Sequence, residues 1–209
     1  MSTGRAEAFS DGVFAVAITV LVFGLLPIGT GKLDATVLLQ GWPQYFAYVV
    51  SFLTIGIMWM NHHTILAHVA RVDRPLLVIN LLLLMGIVAI PFPTALVAEH
   101  LRDSGGKAAT VTYGLVMIAI SAGFAALWVY VTTHGAALGA ALPPEALRGS
   151  IPGFTLGGVA YVAGTLIAAF VSAVAGMVIF GALAVYYLFE HLPSPAEEAP
   201  GSSAPEPGP

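Results

Sequence analysis

The chain contains no cysteine and very little charge. Without cysteine there are no disulfides, no thiolate metal sites and no cysteine nucleophile. Only 9% of its 209 residues are Asp, Glu, Lys or Arg, while 58% are hydrophobic. Soluble globular domains carry roughly 25% charged residues, so a water-facing fold is excluded. Several uncharged stretches run 17 residues or more, each long enough to cross a bilayer as a helix. The net charge of −4 says little about partners, because much of it sits in the last residues. The expected surroundings are membrane lipid, not nucleic acid. A cleaved leader is not expected either. Ala15-Val16-Ala17 fits the small-x-small cleavage pattern but lies inside an apolar run rather than after it.

The few charges punctuate the spans. The first span is read as Gly12–Ile28, closed by Pro27 and the loop Gly29-Thr30-Gly31-Lys32. The second lies between Asp34 and Arg71 and starts near Trp42-Pro43. The third begins at Pro75 and ends before Glu99, with Pro91 and Pro93 expected to kink or end it. The fourth lies between Lys107 and Thr133. The uncharged stretch Gly149–Phe189 would be about 60 Å long as one helix, twice the hydrocarbon thickness. It is therefore read as a hairpin of two helices turning near Ser172–Gly176. The expected fold is all-α, a polytopic membrane domain of six transmembrane helices over residues 1–192. Residues 193–209 are proline, serine, alanine and glutamate with nothing to pack, and read as a disordered tail. Six spans put both termini on one side. That side holds Arg5, Arg71, Arg74 and Arg148, against Lys32, Arg102 and Lys107 on the other, which favours cytoplasmic termini.

Catalytic patterns are missing. No serine stands in a Gly-x-Ser-x-Gly setting and no carboxylate pair lies within a span, so the chain is not read as an enzyme. The potassium filter sequence Thr-Val-Gly-Tyr-Gly is absent too; Thr112-Tyr113-Gly114 opens the fourth span and reads as ordinary helix. His62, His63 and His68 end the second span beside Asn61. Spacings of five and six residues place metal ligands poorly on one helical face, so no metal and no cofactor are expected. Hydrogen bonding to other helices, with Asn80 of the third span or with the Arg5/Asp11 region, is the expected role of these side chains. The pair Gly153/Gly157 suits close helix packing, whereas Gly135/Gly139, ahead of Pro143-Pro144, reads as loop.

The first span stands out. Arg5, Phe9, Ser10 and Asp11 crowd its mouth, where charge is costly to bury and must be used or satisfied. Beyond them Gly12, Val16, Thr19 and Phe23, spaced by four, three and four, form one stripe along a helix.

Arg5-x-x-x-Phe9-Ser10-Asp11, followed by Gly-Val-Phe-Ala-Val-Ala-Ile-Thr-Val-Leu, resembles the prokaryotic relatives of the endolysosomal potassium channel that lacks the usual filter. Trp59-x-Asn61-His62-His63, Asn80 and Pro91-Phe92-Pro93 extend the resemblance through the first half of the chain. The resemblance implies a homotetramer whose first helices line a central pore, with itself, lipid and monovalent cations as partners. It implies constrictions at Val16 and Phe23 with a threonine at Thr19, which are members of the stripe. Valine and phenylalanine depart from the family's more usual isoleucine and leucine. The function implied is passive potassium-permeable flux through the inner (plasma) membrane of a prokaryote, with potassium as the permeant species. Arg5, Phe9, Ser10 and Asp11 would then be a structural motif, with Asn61, His62, His63 and Asn80 as its partners. The alternative is a secondary transporter or proton-coupled carrier using Asp11 and the His62/His63 region. No internal repeat supports it.

Overall fold

The computed structural model describes residues 3–29, 34–140 and 151–189, with the backbone path alone for 27–29 and 151–156. The expected tail 193–209 and Arg148 lie outside the described residues. Every regular element among those described is helical: α1 (Thr3–Val20), a 3-10 segment (Leu21–Gly29), α2 (Ala35–Gln40), α3 (Trp42–Ala67), α4 (Arg74–Ala89), α5 (Pro91–His100), α6 (Gly106–Leu138), α7 (Ile151–Phe170) and α8 (Ala173–Phe189). Four stretches are long and apolar enough to span a membrane: Thr3–Leu26, Trp42–Ala67, Arg74–His100 and Gly106–Leu138. Gly157–Phe170 and Ala173–Phe189 are shorter apolar helices.

Local chemistry sets the boundaries. Asp34 and Asp73 cap α2 and α4, each carboxylate accepting from a backbone N–H three residues on. Pro43 and Pro75 stand in the first turns of α3 and α4, where the missing N–H is harmless. The two prolines of the third span kink it without ending it: α4 stops at Ala89, Ile90 keeps helical torsions, and α5 starts at Pro91 and runs to His100. The last hairpin turns at Val171–Ser172, so Gly176 lies inside α8.

Two boundaries differ from the sequence reading. The first helix begins at Thr3 rather than Gly12, because Arg5, Glu7 and Asp11 are accommodated on its surface instead of ending it. The fourth span runs on to Leu138, which puts Gly135 inside the helix and not in a loop. It stops at Gly139, whose φ of 65° is left-handed and suits a residue without Cβ. The Leu138 carbonyl then accepts from the backbone N–H of Ala70 and Arg71, while the Thr3 hydroxyl donates to Val69 O. The start of α1, the end of α3 and the end of α6 therefore meet at one end of the bundle.

Helix α6 is the central strut, packed by α4 and α5 on one side and α7 and α8 on the other. Tyr113, Met117, Ile120 and Leu127 lie on its buried face. Contact with α7 is closest at Gly114, where an added Cβ would stand 2.0 Å from Thr165 Oγ1 and 3.1 Å from Phe180. Gly176 of α8 is pressed against the Gly164 carbonyl and Ala168 in the same way. Small residues that let backbones approach are the usual interface device between apolar helices. Gly114→Ala is expected to cost about 1–3 kcal/mol through overpacking. A lowered thermal midpoint in detergent checks this.

A buried hydroxyl cluster joins three further helices. Ser51 Oγ of α3 lies 2.8 Å from Thr94 Oγ1 of α5 and 3.1 Å from the Tyr113 hydroxyl of α6. At the terminal end, the Tyr130 hydroxyl donates to Asp73 Oδ2 at 2.7 Å. That bond, with the Leu76 N–H, holds the Asp73 carboxyl below its usual range. A depressed carboxyl stabilises the fold above its unfolded pKa, and the contribution is lost as pH falls through the folded value. Tyr130→Phe is expected to move Asp73 back upward and to flatten the acid side of the stability–pH curve. Melting midpoints between pH 7 and pH 3 test it.

Candidate functional site

Helix α1 has two unlike faces. Ala6, Ser10, Phe14 and Ala17 are buried, recur every three to four residues, and pack on α3 and α4. Gly12, Val16 and Thr19 are exposed on the other face, with Phe23 exposed on the 3-10 continuation. Val16 is 58% and Phe23 63% exposed, free of contacts within the subunit as lipid-facing side chains such as Met85 also are. The Thr19 hydroxyl donates to Val16 O at 2.9 Å. Its proton is thus directed along the helix and its lone pairs stay available.

Ser10 lies on the side away from this stripe, turned to α4. Asn80 of α4 is the hub. Its Oδ1 is 2.7 Å from His62 Nε2, and its Nδ2 donates to Ser10 Oγ at 3.0 Å. Ser10 Oγ donates onward to Ala6 O at 2.9 Å. Because Asn80 Oδ1 can only accept, His62 carries its proton on Nε2 in this arrangement. Its Nδ1 is buried and has no hydrogen-bond partner among the described residues. The Phe14 ring packs on the His62 ring with centroids 5.4 Å apart.

Beside this buried chain runs a more exposed one. Trp59 Nε1 donates to Asp11 Oδ1 at 2.8 Å. Glu7 pairs with His63, whose ring stacks on Trp59. Glu7 was missed in the sequence because the helix was started too late. Once Thr3–Val20 is one helix, Glu7 stands four residues before Asp11 and on the same side. Ser51 and Thr94 were missed as well, and Tyr113 was read only as ordinary helix, because no local pattern joins polar residues of three separate apolar runs.

Of the residues singled out in the sequence, Ser10, Asp11, His62, His63 and Asn80 are brought together. Arg5, Phe9 and Asn61 are not: Arg5 and Phe9 are exposed, Asn61 is half-buried, and Arg5 and Asn61 form no side-chain hydrogen bond or ion pair among the described residues. His68 lies apart, its Nδ1 2.6 Å from Thr64 O and its ring edge-on to Trp128. The assembled groups are spent on one another, which suits fastening three helices and leaves little to offer a substrate.

The family profile described as "Endosomal/lysosomal potassium channel TMEM175" matches residues 5–91, the stretch from the Arg5 motif to Pro91. A potassium channel of Streptomyces collinus is 46% identical over 207 residues, 96% of this chain and 98% of its own. This chain belongs to the TMEM175 family. Membership extends well past the first half, where the sequence motifs lie. The crystal structure of a lysosomal potassium-selective channel TMEM175 homologue from Chamaesiphon minutus matches with a TM-score of 0.76 and 34% identity. The match covers 89% of this chain and 96% of that one. An animal member from Danio rerio, named an endosomal/lysosomal proton channel TMEM175, is 34% identical over 140 residues. That is 62% of this chain and 27% of the animal protein.

Proposed function

We propose that this TMEM175 protein is a potassium-permeable channel whose pore is built by four copies, each contributing α1 and its 3-10 continuation. The observation that carries this reading is the bare face of α1. Its opposite face is fastened to α3 and α4 by the Asn80 chain, so Gly12, Val16, Thr19 and Phe23 face away from the subunit. One helix cannot enclose a conduit, but four related by symmetry can. Rings of Val16 and Phe23 would narrow such a conduit and gate it by dewetting. Four Thr19 oxygens, their protons turned to Val16 carbonyls, would face a partly dehydrated cation. The potassium-channel relatives of Streptomyces collinus and Chamaesiphon minutus support the same ion.

The subunit would cross the membrane six times, with Ile151–Phe170 and Ala173–Phe189 as the last two spans. Both termini would be cytoplasmic, on the side where the start of α1 meets the ends of α3 and α6. A prokaryotic plasma membrane is the setting. A proton-coupled carrier is disfavoured, since Asp11, His62 and His63 are each held by a partner on another helix.

Potassium efflux from proteoliposomes tests the function. Flux driven by the potassium gradient alone is expected; flux that needs an imposed proton gradient would overturn the channel reading. Native mass spectrometry in detergent should give a tetramer, and a spectrum of monomers and dimers alone would overturn the assembly.

A further inference from the structure

At the end of the bundle where α1, α3 and α6 meet, the turn from α3 into α4 exposes Arg71 and Arg74. Neither forms a side-chain hydrogen bond or ion pair among the described residues. The described acids of this end are engaged elsewhere. Asp73, between the two arginines in sequence, accepts from the Leu76 N–H on one oxygen and from the Tyr130 hydroxyl on the other. Glu7 pairs with His63, and Asp11 accepts from Trp59. Because Asp73 already caps α4, the two guanidiniums, and not the helix end, are what would attract an anion.

Arg74 also heads an apolar stripe. Spacings of four, three, four and three join it to Val78, Leu81, Met85 and Val88, all exposed. The other face of α4, with Leu76, Asn80, Leu83 and Ile87, is buried in the subunit. From Arg74 to Met85 the helix rises about 17 Å, close to half of the roughly 30 Å hydrocarbon thickness and so to one leaflet. The far end of this span closes instead on the acid Glu99 and on His100, which is tied to Asp103.

Guanidiniums bind phosphate oxygens through paired N–H donors, and a stripe of one leaflet's length suits an acyl chain. Free phosphate would use the arginines and leave the stripe idle. A second copy, related by an axis along the membrane normal, would bring the same end to this face, and the described acids of that end are already engaged. We propose that Arg71, Arg74 and the exposed stripe of α4 bind an anionic phospholipid, its phosphate against the two guanidiniums and an acyl chain along Val78, Leu81 and Met85. With the cytoplasmic termini proposed above, this is a lipid of the inner leaflet. The binding itself does not depend on the pore assignment.

Dioleoyl phosphatidylglycerol and dioleoyl phosphatidylcholine are matched probes, alike in their chains and different in net charge. Each is titrated into the delipidated full-length protein in detergent, and bound lipid is counted by native mass spectrometry, without any ion flux. Phosphatidylglycerol should bind about twentyfold more tightly, since each arginine near an anionic lipid contributes roughly fivefold. The double variant Arg71→Gln, Arg74→Gln should remove that preference and leave phosphatidylcholine binding as it was. Arg102→Gln removes an exposed cation at the opposite end of the span and should leave the preference intact. Glycerol phosphate, which has the anionic group without the chains, should not displace the lipid. Equal affinity for the two lipids, a preference that survives the double variant, an equal loss in Arg102→Gln, or displacement by glycerol phosphate would each overturn the proposal.

Discussion

Val16→Ala is expected to raise conductance and to lower the preference for potassium over sodium. The side chain lies on the bare face of α1, one turn before Thr19. In a fourfold arrangement, one substitution shortens four side chains around one axis. A wider ring lets a cation keep more of its water, which lowers the barrier and sorts ions less. Lowering that barrier by roughly 0.5–1 kcal/mol corresponds to a roughly two- to fivefold higher rate, since about 1.4 kcal/mol is tenfold. Thr19→Val separates chemistry from width, because valine keeps the shape and removes four oxygens. It should depress selectivity or current while leaving assembly intact. Planar-bilayer recordings of both variants decide the matter. Unchanged conductance and unchanged ion preference in both would mean that this face does not line a pore.

The stripe was legible because helical periodicity needs only the residues of one helix. Gly12, Val16, Thr19 and Phe23 share a face on any regular helix, and they share one here although the last stands on a 3-10 turn. The spans were legible for a similar reason: charge is so sparse that each charged residue marks a boundary. What the sequence did not reveal depends on contacts between distant segments. Asn80 was an expected partner of the histidines and is the partner of His62, but which histidine takes it is set by which face of α3 turns to α4. A run of consecutive polar residues, Asn61-His62-His63, does not declare that face. The grouping of Ser51, Thr94 and Tyr113 comes from three helices whose packing no local pattern encodes. Starting the first span at Gly12 followed from placing Arg5 and Asp11 at its mouth rather than within the helix. In the fold Glu7 and Asp11 take partners from α3, and Arg5 stays on the exposed face.

That difference changes which motif substitution should hurt most. From the sequence alone Asp11 was the natural choice, but its bond to Trp59 is exposed, where the loss of one partner can be made good by water. Asn80 is buried and holds two helices at once, accepting a hydrogen bond from His62 Nε2–H and donating one to Ser10 Oγ. Asn80→Ala leaves the His62 Nε2–H without an acceptor in an apolar interior, at a cost of about 1–3 kcal/mol for that group alone. His62 Nδ1 is already unpartnered, so the ring would lose its only hydrogen bond among the described residues. Asn80→Ala should therefore lower the thermal midpoint in detergent and the yield of assembled protein more than Asp11→Ala does. The double variant His62→Phe, Asn80→Leu removes both polar groups and keeps apolar bulk. It should recover much of the loss, because replacing both partners of a buried hydrogen bond is far milder than orphaning one. Size-exclusion yields and melting curves of the parent, His62→Phe, Asn80→Leu and the double variant give the coupling, with Asn80→Ala measured beside them. A melting midpoint for Asn80→Ala equal to that of the parent, or a double variant weaker than the sum of its parts, would sink the assignment of Asn80 as the fastening of α1.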